Sequence, residues 1–159
     1  MNPYAKHLEG RNYMDVLTTT PLTLASAVEK IGDAGMGRSY GPGKWTAAQI
    51  LCHLADCEIA FGFRIRQAFV QDPHMVQPFN QEAWATSYGE LDPHMALGTF
   101  IGLRNWNLAL LKARGGDISS RKVSHPERGD MTLAAMLELI AGHDMNHRKQ
   151  LETIAAVAA

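Results

Sequence analysis

The sequence predicts an all-α fold, a four-helix bundle of the up-down type with a long loop between helices 2 and 3. Three observations predict it. Apolar residues recur three and four residues apart in four long segments, the period of an amphipathic helix. No segment of comparable length alternates with a period of two; the one alternating stretch, residues 121–125, is short and isolated. Glycine, proline and polar residues fill the gaps between the four segments. At 159 residues the chain is expected to form one domain over residues 1–159, long enough to bury a core.

Residues 1–20 are mixed and polar, with room for a short helix at 12–17. Thr20 reads as the cap of the first long helix, with Pro21 at its first position and Leu24, Val28 and Ile31 on its apolar side. Five glycines and Pro42 make residues 32–43 a loop. Thr46 and Gln49 match a capping box and open the second helix, which should run to about Phe69, ahead of Asp72-Pro73. Its stripe is Ile50, His53, Leu54, Cys57, Phe61, Ile65 and Phe69. Residues 71–91 are a long polar connection with Pro73, Pro78, a helical turn after Asn80, and Trp84; connections of this length often serve as lids. Asp92 and Pro93 open the third helix, whose stripe of Leu97, Phe100, Ile101, Leu108 and Leu111 ends at Gly115-Gly116. Residues 117–130 read as loop. The fourth helix runs from about Thr132 to Val157 on Leu133, Met136, Leu137, Ile140, Leu151 and Ile154.

Hydrophobic residues are 46% and charged residues 19%, an ordinary globular balance. A net charge of -1 leaves no basic excess for phosphate backbones or anionic lipid, so neither nucleic acid nor membrane is an expected partner. Cys52 and Cys57 lie on one helix and point in different directions, so no disulfide is expected between them. Two thiols suit a reducing compartment. The first ten residues lack an apolar leader segment and no apolar run has membrane length, so a cytoplasmic location is expected.

The stripe of the fourth helix, continued through its gap, lands on His143 and His147, four residues apart and so on one face. Both imidazoles stand where the pattern would otherwise put leucine. Hydrogen-bonded core histidines would explain such a pair by itself. The second helix, however, turns His53 inward too. Three inward imidazoles on two helices of one bundle offer three nitrogen ligands to a divalent metal, with one position open to water or substrate. Cys57, one turn below His53, offers a fourth ligand that would close the site, although a small apolar residue suits the stripe without chemistry. Arg104 interrupts the third stripe and needs a partner, either a carboxylate such as Glu58 or Asp144 or an anionic ligand. Asp144 adjoins His143 and is placed to orient a ligand. Trp84 is a candidate wall of the site, or plain packing. His7, His74, His94 and His125 fall in loops or at a helix start and read as surface residues.

The run Gly43-Lys44-Trp45-Thr46 through His53-Leu54-Ala55-Asp56, then Phe79-Asn80-Gln81-Glu82-Ala83-Trp84, then Arg104, then His143-Asp144 through His147 and Gln150, together resemble the DinB/YfiT-like superfamily of bacterial four-helix proteins. The resemblance extends from about Leu17 to Val157; residues before it carry no implied role. It implies a divalent metal, zinc or nickel, held by His53, His143 and His147, the same triad that periodicity turns inward. It implies a homodimer, and an enzyme that transfers a low-molecular-weight thiol (bacillithiol, mycothiol or glutathione) to a small electrophile, the metal lowering the pKa of the thiol. Cys57 would then be dispensable. The alternatives are a metal-dependent hydrolase that activates water and a non-catalytic metal- or ligand-binding stress protein.

Overall fold

The computed structural model describes residues 2–116 and 118–158. Met1, Asp117 and Ala159 lie outside these, and with them both ends of the expected domain and one residue of the expected 117–130 loop. The elements in order are helices α1 (Ala5–Leu8), α2 (Tyr13–Ile31) and α3 (Ala47–Val70), strand β1 (His74–Met75), helices α4 (Gln81–Ala85) and α5 (Pro93–Arg114), strands β2 (Lys122–His125) and β3 (Gly129–Thr132), and helix α6 (Leu133–Ala158). Helices α2, α3, α5 and α6 form the expected four-helix bundle. Three of the four start where the sequence places them, and α6 follows Thr132, whose Oγ1 accepts the Ala135 N–H at 3.1 Å. The Gln49 N–H donates to Thr46 Oγ1 at 3.2 Å while the Thr46 N–H donates to Gln49 Oε1 at 2.9 Å, completing the capping box of α3. Asp92 caps α5, accepting the His94 amide at 2.8 Å.

The first long helix starts at Tyr13 instead of Thr20. Asn12 caps it, and Pro21 lies inside it. Proline has no N–H for the carbonyl four residues back. In α2 that carbonyl, of Leu17, accepts from Arg104 Nη1 at 3.3 Å. A tertiary hydrogen bond thus takes over the bond that the proline forfeits, and a residue that locally signals a helix start is accommodated in mid-helix.

The order of the helices around the bundle also departs from the expectation. Helix α2 packs along α6 and α3 along α5, and looser α2–α5 and α3–α6 contacts close the ring. Consecutive helices α2 and α3 therefore occupy opposite corners, as do α5 and α6. In a plain up-down bundle, consecutive helices are neighbours. The 71–91 connection joins neighbours, and the diagonal crossings are made by residues 32–46 and 115–132.

Those crossings and the long connection carry structure that periodicity does not signal. Strand β2 pairs parallel with β1 and antiparallel with β3. Gly129, at φ +75°, opens β3 in a backbone region that favours glycine. Each strand has four residues or fewer; β2 falls on the alternating stretch 121–125, too short by itself to be told from a loop, and β1 is a strand only because β2 lies beside it. Val123 is the inward anchor of β2, 1% exposed.

Two groups of buried side chains fill the bundle. One centres on Leu24, Ile50, Leu54, Phe100 and Ile154, the other on Leu17, Phe61, Ile65, Leu137 and Ile140. His53, His143 and His147 fall near the changeover between them along α3 and α6. The N-terminal residues dock on α6 at Gly142, where an added Cβ would lie 2.6 Å from the Tyr4 carbonyl oxygen and 2.8 Å from Tyr4 Cβ. Lys149 holds Glu9 at 2.5 Å on the same face. Among the described residues no helix is long and apolar enough to cross a membrane.

Candidate metal centre

Helix α3 contributes His53, and successive turns of α6 contribute His143 and His147. All three are buried, at 1%, 5% and 6% exposure. His143 Nε2 lies 3.0 Å from His53 Nε2 and 3.1 Å from His147 Nε2. A neutral imidazole carries one proton, on one of its two nitrogens. Gln150 Oε1 accepts from His147 Nδ1 at 2.8 Å, which puts the proton of His147 on Nδ1 and leaves Nε2 as a lone pair. His143 Nε2 then faces two other ring nitrogens and has at most one proton to share between them. A single divalent cation would satisfy His143 Nε2 together with the ring nitrogens on either side of it, because nitrogens about 2.1 Å from one ion lie roughly 3.0–3.4 Å apart. The donor set therefore fits a metal.

The electrostatics agree. Burial, with His147 beside it, pushes the pKa of His53 down to about 3. Burial pushes His147 down to about 4 against its bond to Gln150. His143 lies well below the ordinary histidine value, through burial first and then its two histidine neighbours. Neutral imidazoles are the form that ligates.

Cys57 Sγ stands 3.4 Å from His53 Nε2, and His53, Cys57 and His143 also lie close enough together to share an ion. Of the two further donors beside His53 and His143, His147 is the better prepared to ligate. Gln150 fixes its lone pair, whereas burial and the nearby Asp144 carboxylate push the Cys57 thiol far up and keep its proton on. Cys52 and Cys57 are both free thiols.

The remaining sequence candidates divide. Arg104 is taken up by carboxylates. It donates to Glu58 through Nε at 3.1 Å and Nη2 at 2.8 Å, and to Asp144 through Nη1 at 2.6 Å. Both carboxylates named as alternatives are engaged together. Asp144 is committed to Arg104 and does not orient His143, whose Nδ1 has no partner among the described residues. Trp84 does not form the wall. It stacks on Phe79 at 4.5 Å and is 39% exposed, while Val76, Pro78, Phe79 and Gln81 of the same connection do the lining. His74 is not a surface residue but 4% exposed. His125 lines a cavity, His94 meets Asp33 at 2.8 Å, and His7 is half-buried.

Four neighbours of the centre were given no site role by the sequence. Trp45 lies 4.8 Å from the His53 ring and is nearly parallel to the His147 ring at 6.4 Å; the sequence marked it as a helix start and as part of the family resemblance. Tyr4 sets its ring edge-on to His143 at 5.3 Å, and nothing in the N-terminal sequence signals it. Gln150 stands three residues after His147, one turn along the same helix, a spacing that could have suggested a partner. Arg64 stands seven residues after Cys57, in the phase of the α3 stripe, and is 7% exposed.

Two cavities flank the histidines. One, ≈ 160 Å³, is reached from His143 and Cys57. The other, ≈ 290 Å³, is reached from His147 and is bordered by Trp45, Lys44 and Gln150. Tyr4 borders both.

Residues 17–151 match the model of the DinB superfamily. YfiT from Bacillus subtilis, named "Putative metal-dependent hydrolase YfiT", is 27% identical over 138 residues, covering 85% of this chain and 78% of that protein. A relative from Oceanobacillus iheyensis with the same kind of name is 22% identical over 143 residues, covering 89% and 83%. The solved structure of Bacillus subtilis YfiT, described as having an unusual four-helix bundle topology, superposes with a TM-score of 0.83 at 25% identity, over 91% of this chain and 85% of that one. With its diagonal bundle and inward-facing histidines, the chain belongs to the DinB superfamily.

Proposed function

We propose that the chain is a metal-dependent enzyme acting on small molecules, with one divalent ion, zinc or nickel, held by Nε2 of His53, His143 and His147. The observation that carries this reading is the convergence of three buried, neutral imidazole nitrogens, 3.0 and 3.1 Å apart. A bound divalent ion supplies Lewis acidity and lowers the pKa of a small nucleophile. The chain's own residues do the rest. Gln150 holds His147 in its ligating tautomer. Trp45, Tyr4 and Phe61 surround the imidazoles with aromatic edges and faces and limit water. The Arg104–Glu58–Asp144 cluster ties α5 to α3 and α6, the two helices that supply the ligands.

The nucleophile we favour is a low-molecular-weight thiol, because a transfer reaction needs room for two reactants and the histidines border two cavities. In that reaction the sulfur–carbon bond forms on the electrophile, its leaving group departs with the bonding pair, and the thiol proton passes to solvent. A second reading, hydrolysis by activated water, is favoured by the names of the relatives.

The test begins with metal content. Wild-type protein should hold one equivalent of zinc or nickel, and His53→Ala, His143→Ala and His147→Ala should each lose most of it. The loaded protein is then offered glutathione, bacillithiol, mycothiol or coenzyme A with a chloro-aromatic acceptor, and separately esters and amides. Metal-dependent conjugation that survives Cys57→Ala and dies in His147→Ala supports thiol transfer. Cleavage without conjugation moves the assignment to the hydrolase. Metal retained by all three histidine variants overturns the site.

A further inference from the structure

Two arginines are buried in this bundle, and among the described residues only one of them meets carboxylates. Arg104, 2% exposed, has Glu58 and Asp144. Arg64, 7% exposed, has neither. Among the described residues its hydrogen-bond acceptor is one backbone carbonyl, Gln77 O, at 2.9 Å from Nη2, and no carboxylate lies within ion-pair distance. Guanidinium has five N–H donors, so most of the fork is left for something else. A buried charge without a counter-ion is costly and is seldom kept without a use.

The Arg64 guanidinium lines the cavity that ends at His143 and Cys57. Phe61 and Phe79 flank it, each with its ring centroid 5.6 Å from Arg64 Cζ. Phe61 also lies 6.3 Å from the His143 ring, so a single phenyl ring spans from the arginine to the candidate metal centre. Met136 and Val123 continue the apolar wall. Arg128 stands exposed on the rim, and its positive charge reaches Arg64. Glu127, the one carboxylate bordering the cavity among the described residues, is exposed and pairs with neither arginine.

We propose that this cavity takes a small apolar carboxylate, its carboxylate seated on Arg64, its apolar body against Phe61 and Phe79, and its reacting end toward His143. The reacting end rests on the proposed metal-dependent reaction; the anion site itself stands on Arg64. A planar carboxylate matches the free edge of the guanidinium with two parallel hydrogen bonds. A cavity of ≈ 160 Å³ has room for roughly one aromatic ring. Arg128 on the rim raises the local concentration of anions.

The experiment uses the full chain stripped of metal with a chelator, so that no ion can hold the probe. Benzoate and its neutral isostere benzamide are titrated by calorimetry or ligand-observed NMR. Benzoate is expected to bind at least tenfold more tightly than benzamide. Arg64→Met should weaken benzoate at least tenfold while leaving benzamide unchanged, and Arg64→Lys should recover part of the loss. Arg128→Ala should weaken benzoate severalfold and flatten its salt dependence. Equal binding of the two probes, no benzoate binding to the folded chain, or an unchanged Arg64→Met would each overturn the proposal. If Arg64→Met does not fold, the two probes on wild type and Arg64→Lys decide it. Metal content is measured in parallel. Loss of benzoate selectivity with metal binding intact sinks only the anion site, and benzoate selectivity without metal binding sinks only the metal.

Discussion

Replacing Arg104 by methionine tests the interior of the bundle most directly. Arg104 is 2% exposed and binds three elements at once: Glu58 on α3, Asp144 on α6 and the Leu17 carbonyl in α2. Methionine keeps much of the volume and strands two buried carboxylates and one buried carbonyl. Removing one partner from a buried ion pair costs about 3–5 kcal/mol. For a chain of this size each kcal/mol moves Tm by about 2–4 °C, so Tm should fall by about 6–20 °C. The deficit should also depend on pH. Burial already raises the Asp144 pKa, and Arg104 is what opposes that rise. Without Arg104 the folded pKa climbs further above the unfolded value. A carboxyl shifted upward is stabilising below its unfolded pKa and loses that contribution as pH rises through its folded pKa. The deficit should therefore be largest at pH 7–8 and shrink toward about pH 4. Urea denaturation followed by far-UV circular dichroism at pH 4.5, 6 and 7.5, without and with zinc, measures it. Adding Glu58→Gln and Asp144→Asn to Arg104→Met should return part of the stability. A deficit under about 1 kcal/mol at pH 7.5, or one that does not vary with pH, would refute the reasoning.

Further outcomes follow from the same geometry. Gln150→Ala frees His147 to present either nitrogen and should weaken metal affinity by about 10–100-fold in competition with a chromogenic chelator, without unfolding the bundle. Gly142→Ala puts a Cβ 2.6 Å from the Tyr4 carbonyl oxygen and should lift the N-terminal segment, seen as faster hydrogen exchange over residues 2–11 with little change in Tm; unchanged exchange would contradict the docking. The metal-free chain should lose stability as pH falls from about 6.5 toward the folded values of about 3 for His53 and about 4 for His147. Over that window the unfolded chain binds protons that the fold excludes. A urea midpoint measured in chelator should fall accordingly, and one that is flat between pH 7 and pH 5 would argue against buried neutral imidazoles.

The sequence by itself determined the helices, their buried faces and the inward phase of the histidines. These are local properties: a 3.6-residue period turns His53, His143 and His147 to the same side as the leucines around them, and the Thr46 and Asp92 caps satisfy amides within three residues. Resemblance pointed to the same three imidazoles as a ligand set. It did not distinguish a thiol from water as nucleophile, because both use the same open set of ligands.

Only the tertiary structure decided the rest. Pro21 reads locally as a helix start, yet Arg104, far away in sequence, takes the carbonyl that proline leaves free. The diagonal placement of α2 and α3 comes from which apolar faces meet, and period alone says nothing about partners. Strands β1 to β3 exist through pairing across the chain. Arg104 and Arg64 occupy the same kind of inward position on their helices, and no local pattern tells them apart. Two carboxylates from other helices converge on Arg104 and make it structural, while among the described residues none pairs with Arg64 in its cavity. Whether a buried charge holds the fold or waits for a ligand depends on what three-dimensional packing brings to it.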